Sequence, residues 1–217
     1  MFIGHYGVGL AAKRATPRVS LAWWFLAVQL VDGLWPIFLL LGWEEVRIRP
    51  GDTVLTPLEF TRYPITHSLV GGIGWGILLA LFYRAARGAP RDAWWLGAGV
   101  VSHWFIDAIV HRPDLPLAPG LSVRVGLGLW NHAAASLVLE FGMFAAGLAV
   151  YLKTTRARGV PGHVSLWSFV VVSLVLFVAA VSGPPPPDVR TLAFLGLLGW
   201  LIPLWGYWID RSREVSG

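Results

Sequence analysis

The sequence predicts an all-α membrane protein, a polytopic helical bundle of about six transmembrane helices preceded by a short N-terminal half-span helix. Three observations carry that prediction. Of the 217 residues, 56% are hydrophobic and only 13% charged, with a mean hydropathy of +0.63, which lies outside the range of soluble domains. Apolar stretches close to the roughly twenty residues that a bilayer requires recur at 21–43, 65–83, 93–111, 132–152, 164–182 and 191–208. The intervals hold the chain-breaking residues, at 49–52, 88–91, 113–120, 158–162 and 184–187. No internal repeat or low-complexity tract divides the chain, so residues 1–217 are expected to form a single integral-membrane domain.

Residues 2–12 are apolar but too short to cross, and Lys13, Arg14 and Arg18 follow them. Charges after the apolar part, with no small-residue cleavage site, do not describe a secretory signal. The segment is expected either to dip into the bilayer beside the first span, turning at Thr16-Pro17, or to lie at the interface as an amphipathic helix. In the first case His5 sits about 12 Å beyond Lys13 along the helix.

The first span carries Gln29 and Asp32, with Gly33 and Pro36 marking close packing and a kink. An aspartate inside a membrane costs about 2.5–3.5 kcal/mol on insertion scales and needs a cation, a proton or a metal. Residues 44–64 mix acidic and basic side chains and read as a solvated loop to which no chemistry is assigned. That loop ends in Tyr63-Pro64-Ile65-Thr66-His67-Ser68, where Pro64 or Thr66 can begin the second span and His67 stands in its first turn. Ser68 is expected to cap or bond backbone rather than act as a nucleophile.

The third span ends in Ser102-His103-Trp104-Phe105-Ile106-Asp107-Ala108-Ile109-Val110-His111. His103, Asp107 and His111 recur every four residues, so a continuous helix presents them on one face about 6 Å apart along its axis. Counted by helical rise, Asp32, His67, His103 and Asp107 fall in one layer, with His5 in reach. Of the acidic residues only Asp32, Asp107 and Glu140 lie within the spans, and no Lys or Arg does. A salt bridge to a basic side chain is thereby excluded. Imidazoles and carboxylates gathered without such a partner suit a divalent cation, zinc above all. The expected ligands are Asp32, His67, His103 and Asp107, then His5, His111 and His132, and the number of ions is open. Glu140, eight residues after His132 and so on its face, is a candidate extra ligand or base. The catalytic candidates are Asp32, Asp107 and Glu140. His163 belongs to a basic loop and is expected at the surface.

Eleven of the 17 Lys and Arg residues lie at the N-terminus, after the second and fourth spans, and in the C-terminal tail. By the positive-inside rule both termini face the cytoplasm. The net charge of +5 then reflects topology, and no nucleic-acid partner is expected. Thirteen Trp fit an aromatic belt. The absence of cysteine removes disulfides and thiolate metal sites.

Gly4-His5, Asp32, Thr66-His67-Ser68-Leu69 and Ser102-His103 with Asp107 resemble, in kind and order, the motifs of the YdjM-like inner-membrane metal-dependent hydrolases. The resemblance covers the first half of the chain. It implies metal-dependent hydrolysis in a cell's inner membrane. In that family an aspartate pair and a histidine tend to mark the first acidic motif, whereas Asp32 is followed by Gly33-Leu34-Trp35. The histidine and aspartate order is also similar, more distantly, to zinc-dependent phospholipase C and the single-strand nucleases, which implies a further ion at His111 and His132. The expected function is therefore hydrolysis of a lipid or lipid-linked ester or phosphoester, with membrane lipids as the surroundings and a water activated by the metal as nucleophile. The alternatives are a transporter or permease that uses the same cluster for a cation or protons, and a scaffold whose buried His and Asp bond one another.

Overall fold

The computed structural model describes residues 1–216. The chain runs α1 (Ile3–Ala12), α2 (Leu21–Leu40), a hairpin of β1 (Glu45–Ile48) and β2 (Leu58–Arg62), α3 (Pro64–His67), α4 (Leu69–Arg87) and α5 (Pro90–Val110). A second half follows with β3 (Leu115–Pro116), β4 (Arg124–Val125), α6 (Ala133–Thr154), β5 (Thr155–Ala157), α7 (Gly159–Ser182), α8 (Val189–Leu197), α9 (Leu201–Ser212) and β6 (Arg213–Val215). Six helical segments are long and apolar enough to cross a membrane. The strands form short antiparallel pairs at the ends of the bundle, β1 with β2, β3 with β4 and β5 with β6.

Helix ends follow local chemistry. Ser20 accepts from the Ala22 N–H at the start of α2, and Asp188 from the Thr191 N–H at the start of α8. Gly88, left-handed at φ 67°, ends α4 with its N–H on the Arg84 carbonyl, and Pro90 opens α5 directly after it. The α4–α5 pair this turn creates is tight, because Gly76 and Gly97 let the two backbones meet.

The short α1 is not an interfacial helix. Ile3, His5, Tyr6 and Leu10 are buried, and Gly7 and Gly147 bring its backbone against α6. Tyr6 packs edge-on against Phe25 and Phe169, with ring centroids 5.3 and 5.6 Å away. The half-span reading is the one the packing favours, since ten residues of helix cover about 15 Å. Beyond it, Trp24 Nε1 donates to Thr16 Oγ1 at 2.9 Å and fixes the corner into α2. α5 is the central helix: half of its span is buried, against 22% for α6. Leu78, Leu81, Phe82, Val171, Val175 and Leu204 point outward, the apolar exterior of a bundle solvated by lipid.

Three spans differ from their expected form. The second breaks at Ser68, which is extended (φ −82°, ψ 153°), so that α3 and α4 are separate helices. Ser68 Oγ donates to the Pro64 carbonyl at 2.6 Å and accepts from the Gly71 N–H at 2.9 Å, closing one helix and capping the next. The third span ends at Val110, leaving His111 as its extended C-terminal cap. The sixth is interrupted by a tighter turn at Leu198–Trp200. There Trp200 Nε1 donates to the Gly33 carbonyl at 3.0 Å, and its indole lies against Gly33, whose missing side chain leaves room for it.

Candidate metal centre

Four helices deliver the site. α5 places His103 and Asp107 one turn apart, with His103 Nε2 3.1 Å from Asp107 Oδ2. α1 lays the His5 ring on the His103 ring, centroids 3.7 Å apart and planes 6° from parallel, and its Nε2 lies 3.1 Å from Asp107 Oδ1. α2 brings Asp32, whose Oδ1 is 3.6 Å from His103 Nε2. The break at Ser68 turns α3 so that His67 Nε2 reaches the same oxygen at 3.1 Å. Two sets of potential ligands result, His5 with His103 and Asp107, and Asp32 with His67 and His103; within each the donor atoms lie within 4.8 Å of one another. They share His103. All five side chains are buried except Asp32, which is 34% exposed.

The hydrogen bonds behind the rings test whether a cation fits. His103 Nδ1 faces the Val28 carbonyl at 2.8 Å, an acceptor only, so Nδ1 carries the proton. A neutral His103 then has a bare Nε2, which has no hydrogen-bond partner and lies 3.1 Å from an Asp107 oxygen and 3.6 Å from an Asp32 oxygen. Lone pairs held this close repel, and a cation between them reverses the sign. Oxygen and imidazole donors in this number suit a divalent ion. The residues therefore could hold a metal ion.

Among the described residues no Lys or Arg pairs with Asp32 or Asp107, and the nitrogen nearest Asp107 is a main-chain one. The Met1 amino nitrogen is 2.6 Å from Asp107 Oδ1, carried there by α1.

Glu140 and His132 do not join the cluster. Glu140 accepts the Phe2 N–H (2.9 Å) and the Gly4 N–H (2.8 Å), satisfying the free donors at the start of α1, which has no side-chain cap of its own. α6 begins at Ala133, so His132 lies outside the helix, exposed, and the shared-face argument for the pair fails. His111 is intermediate. Its Nε2 stays 3.8 Å from Asp107 Oδ2, while Nδ1 bonds Asp114 at 2.9 Å. Tyr63 OH donates to the same Asp114 oxygen at 3.0 Å. Burial, then the neighbouring carboxylate, pushes the Tyr63 hydroxyl well above its ordinary range and keeps it a donor. His163 is exposed, as expected, but lies in the first turns of α7 and not in a loop.

Sequence reasoning missed Glu44, in the loop given no chemistry. It is buried, and its carboxylate accepts from the backbone of Ile65 and Thr66 and from the Thr66 hydroxyl, which lies beside His67. Asp32, His67, Asp107 and His111 line a cavity of about 330 Å³. Its walls are mainly apolar and aromatic, with Trp35, Phe60, Trp130, Leu195 and Trp200 among them.

Fold and site together define a helical membrane protein with a buried His/Asp cluster able to hold a metal ion beside an apolar cavity. Compared with protein-family models, with curated proteins and with solved structures, the chain matches none.

Proposed function

We propose that this protein is a membrane-embedded, divalent-metal-dependent hydrolase, with zinc as the ion, acting on a lipid or lipid-linked ester or phosphoester. The observation that carries the reading is the convergence of the bare His103 nitrogen and two carboxylates on one point beside an apolar cavity. The order His5, Asp32, His67, His103, Asp107, like that of the YdjM-like hydrolases, supports it. When bound, the ion supplies a nucleophile at neutral pH and stabilises charge developing on a phosphoryl or acyl oxygen. Asp32, His67, His103 and Asp107 hold it, with His5 as a further donor. Asp32 is the member of the cluster most open to the cavity and is placed to accept a proton from an incoming water. Trp35, Phe60 and Trp200 exclude bulk water and seat the acyl portion of the substrate. Glu140 serves by holding α1, and with it His5, in place. The Lys and Arg distribution supports both termini facing the cytoplasm, and the resemblance to the YdjM-like hydrolases supports an inner-membrane location.

Elemental analysis of the detergent-purified protein, followed by hydrolysis assays on carboxylic and phosphoric esters of long-chain lipids, tests the proposal. Stoichiometric zinc and metal-dependent turnover are expected. One observation favours a second reading: the contacts of Asp107 with both His5 and His103 suit a polar network that simply anchors α1. Purified protein without metal, unable to take up zinc, would establish that reading instead.

A further inference from the structure

The hydrogen bonds behind His67 assign a task to Glu44 and Thr66, residues that touch neither the cavity nor a carboxylate ligand. Glu44 follows α2 and is 1% exposed. Its Oε1 accepts the N–H groups of Ile65 (2.7 Å) and Thr66 (2.9 Å), and its Oε2 lies 2.6 Å from Thr66 Oγ1. A carboxylate surrounded by three donors has no proton to offer, so the single hydroxyl proton of Thr66 is directed at Glu44. Thr66 Oγ1 is also 2.7 Å from His67 Nδ1. Having spent its proton on Glu44, the hydroxyl can only accept, and the proton of that second bond must sit on Nδ1. A neutral His67 therefore has a bare Nε2, which is the atom 3.1 Å from Asp32 Oδ1.

We propose that Glu44 and Thr66 are positioning residues that lock His67 in its Nδ1–H tautomer and so present the Nε2 lone pair to a divalent cation shared with Asp32. The inference rests on the metal-site reading given above and not on the reaction assigned to it. It gives His67 the same tautomer that the Val28 carbonyl gives His103, so two imidazoles on different helices are prepared alike. Glu44 does this while also accepting the first N–H groups of α3, a helix of four residues whose N-cap residue, Tyr63, makes no side-chain cap bond. Outer partners of this kind fix ring orientation and raise ligand basicity, and their loss typically costs about 10–100-fold in metal affinity.

Glu44→Gln is the discriminating variant, because it keeps shape and backbone acceptor. The amide oxygen retains the Ile65 and Thr66 N–H groups, while the amide NH₂ donates to Thr66 Oγ1. The hydroxyl proton then turns to His67 Nδ1 and forces the proton onto Nε2. The experiment is ¹⁵N ring spectroscopy of the full-length, metal-free protein in detergent, with the His67 signal identified by its loss in His67→Gln. It is paired with zinc titration of wild type, Glu44→Gln, Thr66→Val and Thr66→Ser. The expected result is Nδ1–H in wild type and Nε2–H in Glu44→Gln. Zinc affinity falls about 10–100-fold in Glu44→Gln and Thr66→Val and returns in Thr66→Ser. A Glu44→Gln protein that keeps Nδ1–H, or binds zinc as wild type does, overturns the relay while leaving the metal site standing. A wild-type protein that binds no zinc removes both.

Discussion

His5 lies flat on His103, ring on ring at 3.7 Å, although ninety-eight positions separate them in the chain. Both Nε2 atoms reach Asp107, one to each carboxylate oxygen. Two imidazolium rings at this distance would repel by about 4 kcal/mol at an effective dielectric constant of 20, so the stack suits neutral rings, the form that binds a metal. His5→Phe separates packing from ligation. It keeps an aromatic ring on His103 and removes the nitrogen. The expected result is zinc affinity at least tenfold weaker, with thermal unfolding close to wild type. A variant that unfolds early but binds zinc normally would make His5 a packing residue.

Asp107 has His5, His103, His111 and the Met1 amine around its carboxylate. Asp107→Asn keeps the volume and removes the charge. It is expected to abolish stoichiometric zinc, whereas Asp32→Asn, which leaves the set of His5, His103 and Asp107 intact, is expected to weaken binding and to abolish turnover. Metal content measured after equilibrium dialysis distinguishes the two. Full zinc occupancy in Asp107→Asn would exclude Asp107 as a ligand.

The sequence makes the spans legible because twenty-residue apolar runs have no other stable home. It makes His103, Asp107, Asp32 and His67 legible because ionisable groups in such runs need partners. It hides Glu44, whose burial depends on a hairpin folding back over 22 positions to meet Thr66, and local charge pattern carries no trace of that return. The break at Ser68 is hidden because Pro64 and Thr66 each read as the start of one continuous span, although Pro64 and Ser68 together supply the bonds that make it. Glu140 was open to a better reading. α1 has no side-chain cap, its first N–H groups need an acceptor, and an acidic residue in another span is the natural one.

Lys13, the first charged residue after the apolar N-terminal segment, is buried. Its Nζ donates to the Val19 carbonyl at 2.8 Å and to Asp210 Oδ1 at 3.0 Å, while Asp210 Oδ2 accepts the Leu21 N–H at 2.6 Å. One ion pair thus ties the corner between α1 and α2 to α9. Lys13→Met leaves a buried acceptor without its donor, a loss of about 1–3 kcal/mol. The double variant Lys13→Met/Asp210→Asn is expected to recover part of it, because the remaining group is uncharged. Thermal unfolding in detergent measures both, and a Lys13→Met protein as stable as wild type would rule out the pair as a structural tie.

Gly147 links packing to chemistry. A methyl group there would collide with the Gly7 backbone, and one at Gly7 would collide with the backbone of Met143 and Phe144. The α1–α6 contact therefore has no room for a side chain on either helix, and overpacking of this kind costs about 1–3 kcal/mol. α1 can relieve the collision only by moving away from α6, which pulls His5 off His103 and the backbone of Phe2 and Gly4 off Glu140. Gly147→Ala is thus expected to lower the unfolding midpoint and also to weaken zinc binding, though no atom of the substitution touches a ligand. Gly142→Ala is the control. It lies on the same helix, a methyl there meets nothing within 4 Å, and exchanging Gly for Ala inside a helix should stabilise by roughly 0.5–1 kcal/mol. Zinc titration and thermal unfolding of the two variants decide the matter, because equal zinc affinity in both would show that the position of α1 does not govern the site.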